Sequence, residues 1–123
     1  PSVELENGIQ ILPQSYISSA AQIGFGTLIN AGVVVSHDCH IGKCVNLSPG
    51  ALLAGGVKAD DFAPIGMGVT IKINVRIGHT ALIGNRAVVK SDVHPQSRIY
   101  AVKIWPNPFS HRETNPKEYR KIA

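Results

Sequence analysis

Branched aliphatic residues recur at every sixth position of the chain: Leu5, Ile11, Ile17, Ile23, Ile29, Val35, Ile41, Leu47, Leu53, Ala59, Ile65, Ile71, Ile77, Ile83 and Val89, with Ala59 the one exception. Four places after each stands a residue that is mostly small or β-branched, among them Ala21, Thr27, Val33, Cys39, Val45, Ala51, Val57, Ala63 and Val93. A helix would repeat at three and four and an ordinary strand at two, so neither accounts for a strict six. A six-residue period is the pattern of a parallel β-helix, in which each hexapeptide forms one short side of a triangular coil. The aliphatic residue points into the prism, and the residue four later is small because the interior is narrow. Gly, Asn and Asp between them let the chain turn each corner. The predicted fold is therefore all-β, a parallel β-helix of about five 18-residue rungs from Leu5 to His94.

Stacked rungs stand about 4.8 Å apart, so residues 18 apart in sequence are expected one above another. Val34, Leu52, Phe62, Met67 and Ile73 fall between the core positions and point outward. Apolar residues on the outside of so small a core predict faces buried by other copies, and three such faces favour a closed ring, a homotrimer. The period is expected to end at His94-Pro95-Gln96. Beyond it, Arg98 to Val102 reads as a last strand and Lys117 to Ile122 as a short basic helix opened by Asn115-Pro116. The organisation predicted is a β-helix over 1–97 and a capping tail over 98–123 that covers the end rung.

Length and composition narrow the class without changing this picture. A chain of 123 residues with 44% apolar and 16% charged residues fits one folded domain. No apolar run approaches the roughly 20 residues of a bilayer span, and Pro1-Ser2-Val3-Glu4 has no signal-peptide layout, so a cytoplasmic protein without a membrane partner is expected. The net charge of +4 sits in the tail: Lys/Arg and Asp/Glu are six each up to Ser97, then six against two from Arg98 onward. A neutral body without an arginine-rich run argues against nucleic acid. Cys39 and Cys44 are too few for a disulfide framework and read as reduced, small apolar residues.

His37-Asp38-Cys39-His40 is the densest polar cluster. Its register turns Cys39 inward and His37 and His40 outward, so three ligands do not converge and no metal site is expected. His79 belongs to a different face, and the closely spaced His pair of the γ-type carbonic anhydrases is absent. An outward imidazole is a candidate general base around neutral pH, and Asp38 beside it can orient the ring. Gly55 lies 18 after His37 and is predicted directly above it, where a bare main-chain N–H can donate to a developing oxyanion.

The run from Asn30 to Gly42 containing Ser36-His37-Asp38-Cys39-His40, followed by Ser48-Pro49-Gly50-Ala51 and Ala54-Gly55-Gly56-Val57, resembles the sugar acetyltransferases of the sialic-acid O-acetyltransferase and UDP-4-amino-sugar N-acetyltransferase type. The resemblance covers roughly Ile23 to Tyr100 and implies a left-handed coil, acetyl-CoA as donor, and a trimer with active sites between subunits. It also implies a sugar acceptor of the kind used in polysaccharide biosynthesis, more readily N- than O-acetylated. The family's catalytic His matches His37 and its oxyanion-side glycine matches Gly55. Gly66, Met67, Gly84 and Asn85 match positions along the neighbouring seam, where backbone groups meet pantetheine. Ser36 stands where the family usually has Glu, and Asn46 where it has a second active-site His; both are assigned to substrate binding. Lys72, Arg76, Arg86 and Lys90 are candidates for the CoA phosphates.

Overall fold

The computed structural model describes residues 2–101. Those residues form a left-handed parallel β-helix whose strands are two residues long and fall into three sheets. The first side stacks Glu4–Leu5, Gln22–Ile23, His40–Ile41, Lys58–Ala59 and Arg76–Ile77. The second stacks Gln10–Ile11, Leu28–Ile29, Asn46–Leu47, Pro64–Ile65, Leu82–Ile83 and Arg98–Ile99. The third stacks Tyr16–Ile17, Val34–Val35, Leu52–Leu53, Thr70–Ile71 and Val88–Val89. Every pair is parallel, and all but the last keep the 18-residue step, with Lys58 over His40 and Leu52 over Val34.

The corners explain how two-residue strands hold. At most of them the second residue has a left-handed backbone, as at Gly56 (φ 71°) and Asp38 (φ 60°). An L residue there costs on the order of 1–2 kcal/mol. The N–H of that residue donates to the first corner residue of the rung below, Asp38 to Ser19 at 3.1 Å, Gly56 to His37 at 2.9 Å and Asn74 to Gly55 at 2.9 Å. The ladder thus continues through the bends and offsets the strain.

The core is the stack of aliphatic places filled in by the small ones, and Ile29, Leu47 and Ile65 are fully enclosed. Each such side chain contributes about 1.5–3 kcal/mol by leaving water. The first described rung departs from this: Leu5 and Ile11 are 50% and 44% exposed. Cys39 is buried and its Sγ donates to the Ala54 carbonyl at 3.3 Å; burial pushes its thiol pKa up. Cys44 does not behave as a small core residue. It stands exposed at a corner with φ 49°.

The period does not end at His94-Pro95-Gln96. Leu82 pairs with Arg98 and Ile83 with Ile99, a step of 16, and Val93 bridges Ile77. The last rung has lost two residues between Val89 and Val93, so Val93 fills an aliphatic place, not the small one expected of it. The coil then runs on through Ile99, past the 97/98 division drawn from sequence. The tail expected to cap the end, with its helix from Lys117, lies outside the described residues.

The expected outward apolar residues do not share one face. Leu52 is on the third side, Phe62, Met67 and Ile73 are exposed at three different corners, and Val34 is half-buried. The outer surface of the third side is a mostly apolar column, Tyr16, Val34, Leu52 and Val88, interrupted by Thr70. Among the described residues no helix is long and apolar enough to cross a membrane.

Candidate functional site

The corner between the third and first sides carries Ser19-Ala20, His37-Asp38, Gly55-Gly56 and Ile73-Asn74 in four successive rungs. The left-handed backbone of Asp38 brings its carboxylate beside the ring of the preceding residue, with Oδ2 3.0 Å from His37 Nδ1. The imidazole itself is 60% exposed at its side chain, yet it lies back against the rung above. A Cβ built on Gly55 would stand 2.6 Å from both Cε1 and Nε2 of that ring. Only glycine leaves the space, and Gly55 is buried beneath the imidazole, not within the prism.

The N–H of a first corner residue points away from the coil, and side chains occupy several of these donors. Phe25 N–H donates to Glu6 Oε2 at 3.2 Å, Lys43 N–H to Asp61 Oδ1 at 2.9 Å, and Met67 N–H to Asn85 Oδ1 at 2.9 Å. In the last two the acceptor is the residue 18 further on. For Gly55 that residue is Ile73, which has no acceptor, and no acceptor among the described residues meets the Gly55 N–H. The corner therefore presents an imidazole, a carboxylate on one of its nitrogens, and an unclaimed amide on the rung above. Groups of this kind can serve as a base and as a donor to a developing oxyanion.

The other sequence-predicted residues stand elsewhere. Ser36 precedes the corner, half-buried, with its N–H on the Leu53 carbonyl at 3.0 Å. Asn46 points outward from the second side, the side opposite this corner. Gly66, Met67, Gly84 and Asn85 gather at the corner between the second and third sides. A Cβ on Gly66 would meet the Asn85 N and Oδ1 at 2.7 Å, and one on Gly84 would meet Tyr100 Cδ1 at 2.9 Å. Gly66, Gly84 and Asn85, without Met67, border a groove of about 580 Å³ along the second side, shared with Ser48, Leu82, Arg86 and Tyr100. The Met67 amide is not free, being held by Asn85.

Sequence reasoning missed Ser48, Leu82 and Tyr100 in this groove. Counting by 18 sets Tyr100 over Leu82, whereas the shortened rung puts Arg98 there and turns Tyr100 onto Gly84. Of the candidate phosphate ligands, Arg86 alone lines that groove. Lys72 and Lys90 flank a shallow apolar cleft with Leu52, Ile73 and Val88. Arg76 is paired with Asp60, Nε to Oδ2 at 3.0 Å, on the first side. His79 lies at a different corner from His37, its Nδ1 3.4 Å from Thr80 Oγ1. Among the described residues no three His, Cys, Asp or Glu side chains could hold a metal ion together.

Comparison with known proteins places the fold in a class. The bacterial transferase hexapeptide (six repeats) model matches residues 20–55. The chain is 38% identical over 73 residues to the acyl-[acyl-carrier-protein]--UDP-N-acetylglucosamine O-acyltransferase of Agrobacterium fabrum, which covers 59% of this chain and 27% of that protein. Among solved structures it is similar to WeeI from Acinetobacter baumannii, with TM-score 0.79 and 32% identity over 81% of this chain and 50% of that one. It is also similar to a variant of GDP-perosamine N-acetyl transferase from Caulobacter crescentus in complex with CoA and GDP-perosamine. There the TM-score is 0.71 and the identity 29%, over 87% of this chain and 55% of that one. The chain thus carries the hexapeptide repeat of acyl-transferring β-helix proteins and resembles members that act on sugars. It spans about a quarter to a third of the length of the curated relatives it matches.

Proposed function

We propose that this chain is an acetyl-CoA-dependent acetyltransferase acting on an amino group of a nucleotide-linked sugar, working as a cytoplasmic homotrimer with its sites between copies. The observation that carries the reading is the Gly55 amide, unclaimed and adjacent to the His37–Asp38 pair. The likeness to a sugar N-acetyltransferase bound to CoA and GDP-perosamine supports the donor and the acceptor class.

With Nδ1–H donating to Asp38 Oδ2, Nε2 of His37 keeps its lone pair and accepts a proton from the acceptor amine as nitrogen attacks the thioester carbon. The C–N bond forms, the carbonyl oxygen becomes an oxyanion held by the Gly55 N–H, and collapse breaks the C–S bond. CoA leaves as thiolate and takes up the proton from the imidazolium. General-base help contributes about 10²–10⁴ in rate and one oxyanion donor about 10²–10³. Gly66, Gly84, Asn85 and Arg86 line a groove whose bare backbone suits pantetheine, with Arg86 placed for a phosphate. That groove and the His37 corner are at different edges of one prism, as is Asn46, so a single site using all of them needs a second copy. The apolar outer column of the third side is the surface such a copy would cover.

A hydroxyl acceptor can use the same arrangement, and the naming of the curated relatives as O-acyltransferases favours that second reading. Thiol release from acetyl-CoA, measured with a panel of amino sugars and hydroxylated sugars, decides between them. Turnover with amino sugars that is lost in His37→Ala is the expected result. Hydroxyl-only turnover would establish O-transfer, and no turnover with any acceptor would make the chain a silent β-helix module.

A further inference from the structure

The His37 corner divides two unlike surfaces. On the third side the outward residues are apolar except Thr70. On the first side they form a ladder that changes sign along the column: Glu4, Gln22, His40, Lys58 and Arg76, each directly over the last. Lys58 sits two residues beyond Gly56 on the same rung, with His40 directly below it and Arg76 directly above. These three border an open groove of about 550 Å³. Its carboxylates lie toward the far corner and the open end, and most are already engaged. Asp60 holds Arg76, Asp61 holds the Lys43 N–H, and Glu6 holds the Phe25 N–H. Among the described residues Lys58 makes no ion pair within 4.0 Å. Asn74 stands over Gly56, its Oδ1 in the space that a Cβ there would need.

We infer that the first side is the acceptor subsite, and that Lys58, with His40 and Arg76 below and above, binds the diphosphate of a nucleoside-diphosphate sugar. This rests on the acetyltransferase reading and names where its acceptor lies. Lys58 and Arg76, one rung apart at about 4.8 Å, suit neighbouring phosphoryl groups better than one carboxylate, and His40 below adds a ring N–H donor. Lys58 is two residues from the glycine pair, so a sugar linked to that diphosphate extends back toward His37. The diphosphate of CoA offers the same chemistry, but the groove suited to CoA runs along the second side with Arg86. The acceptor is therefore the occupant assigned to Lys58.

The test uses Lys58→Ala, Lys58→Arg and, as a control from the far end of the same groove, Lys43→Ala. Binding of UDP, GDP and CoA is measured by calorimetry, which does not depend on turnover. Lys58→Ala is expected to weaken nucleoside diphosphate binding by about tenfold, the scale of one charge-assisted hydrogen bond. Lys58→Arg should restore most of it, and both Lys43→Ala and CoA affinity should be unchanged. In turnover the KM for a nucleotide-linked amino sugar should rise by the same factor, with kcat, the KM for acetyl-CoA and turnover of the free amino sugar unaltered. Nucleoside diphosphates that fail to bind the wild type, or bind Lys58→Ala equally well, overturn the inference, as does a loss confined to CoA. Binding that depends on Lys58 without turnover of any acceptor would keep the subsite and remove the acetyltransferase reading.

Discussion

Two corners of the same prism, built from the same backbone, present their amides differently. At the Gly66-Met67 corner the outward N–H is taken by the side chain one rung above, Asn85, and the glycines are packed against Asn85 and Tyr100. At the Gly55-Gly56 corner the residue one rung above is Ile73, and the N–H stays open beside an imidazole. The coil thus supplies outward donors at many corners, and the residue 18 positions later decides which of them remains available. Chemistry is selected by vertical neighbours.

The largest expected effect comes from removing the group that distinguishes the open corner. His37→Ala should lower kcat by about 10²–10⁴ while thermal unfolding stays near the wild type, because the ring is exposed. Unchanged turnover in this variant would remove the base. Ile73→Asn converts the open corner into a copy of the closed one by placing an amide oxygen over the Gly55 N–H. A fall in kcat of about 10²–10³ with little change in KM is expected. If turnover survives in a variant whose Gly55 amide is shown by hydrogen exchange to be protected, that amide is not the oxyanion donor.

Gly55→Ala sharpens the pairing between the two rungs. Its new methyl would need the space the imidazole occupies, so destabilisation should appear in the wild type and vanish in His37→Ala, a coupling of about 1 kcal/mol. Additive effects in that double-mutant cycle would mean the ring does not rest on the glycine. The reverse exchange is no larger. Asn85→Leu opens the Met67 amide and should cost about 1 kcal/mol, read from the denaturation midpoint, because water can replace the lost acceptor. Last, a thiol reagent at neutral pH should modify Cys44 and spare Cys39, whose pKa burial pushes up, until the chain unfolds. Equal labelling in the native state would contradict the packing of Cys39 on Ala54.

Much of the architecture could be read from periodicity, because one narrow interior imposes the same demand on every turn. Aliphatic residues six apart and a small residue four later leave few other folds, and stacking by 18 then set Gly55 over His37 before any coordinates. What could not be read were features that break or lie outside the repeat. The two residues lost before Val93 look like ordinary sequence until Ile77 and Ile83 show where their partners are. That loss also hid Tyr100 from the groove it lines. The contrast between the two corner amides was likewise out of reach, since it depends on whether Asn85 and Asp61 turn back toward the rung below. Outward apolar residues were named singly from sequence, whereas the coil collects Tyr16, Leu52 and Val88 into a column and scatters Phe62, Met67 and Ile73 to separate corners.

The shortened rung has a consequence for how such a chain can vary. Among the described residues, losing two residues after Val89 re-registers only the turn that runs through Ile99 and leaves the lower turns as they were. The same loss anywhere between His37 and Gly55 would slide a different residue over the imidazole and carry every later turn with it. Lineages of this protein should therefore tolerate insertions and deletions toward the end of the coil, while the interval between those two positions stays fixed in length whatever residues fill it.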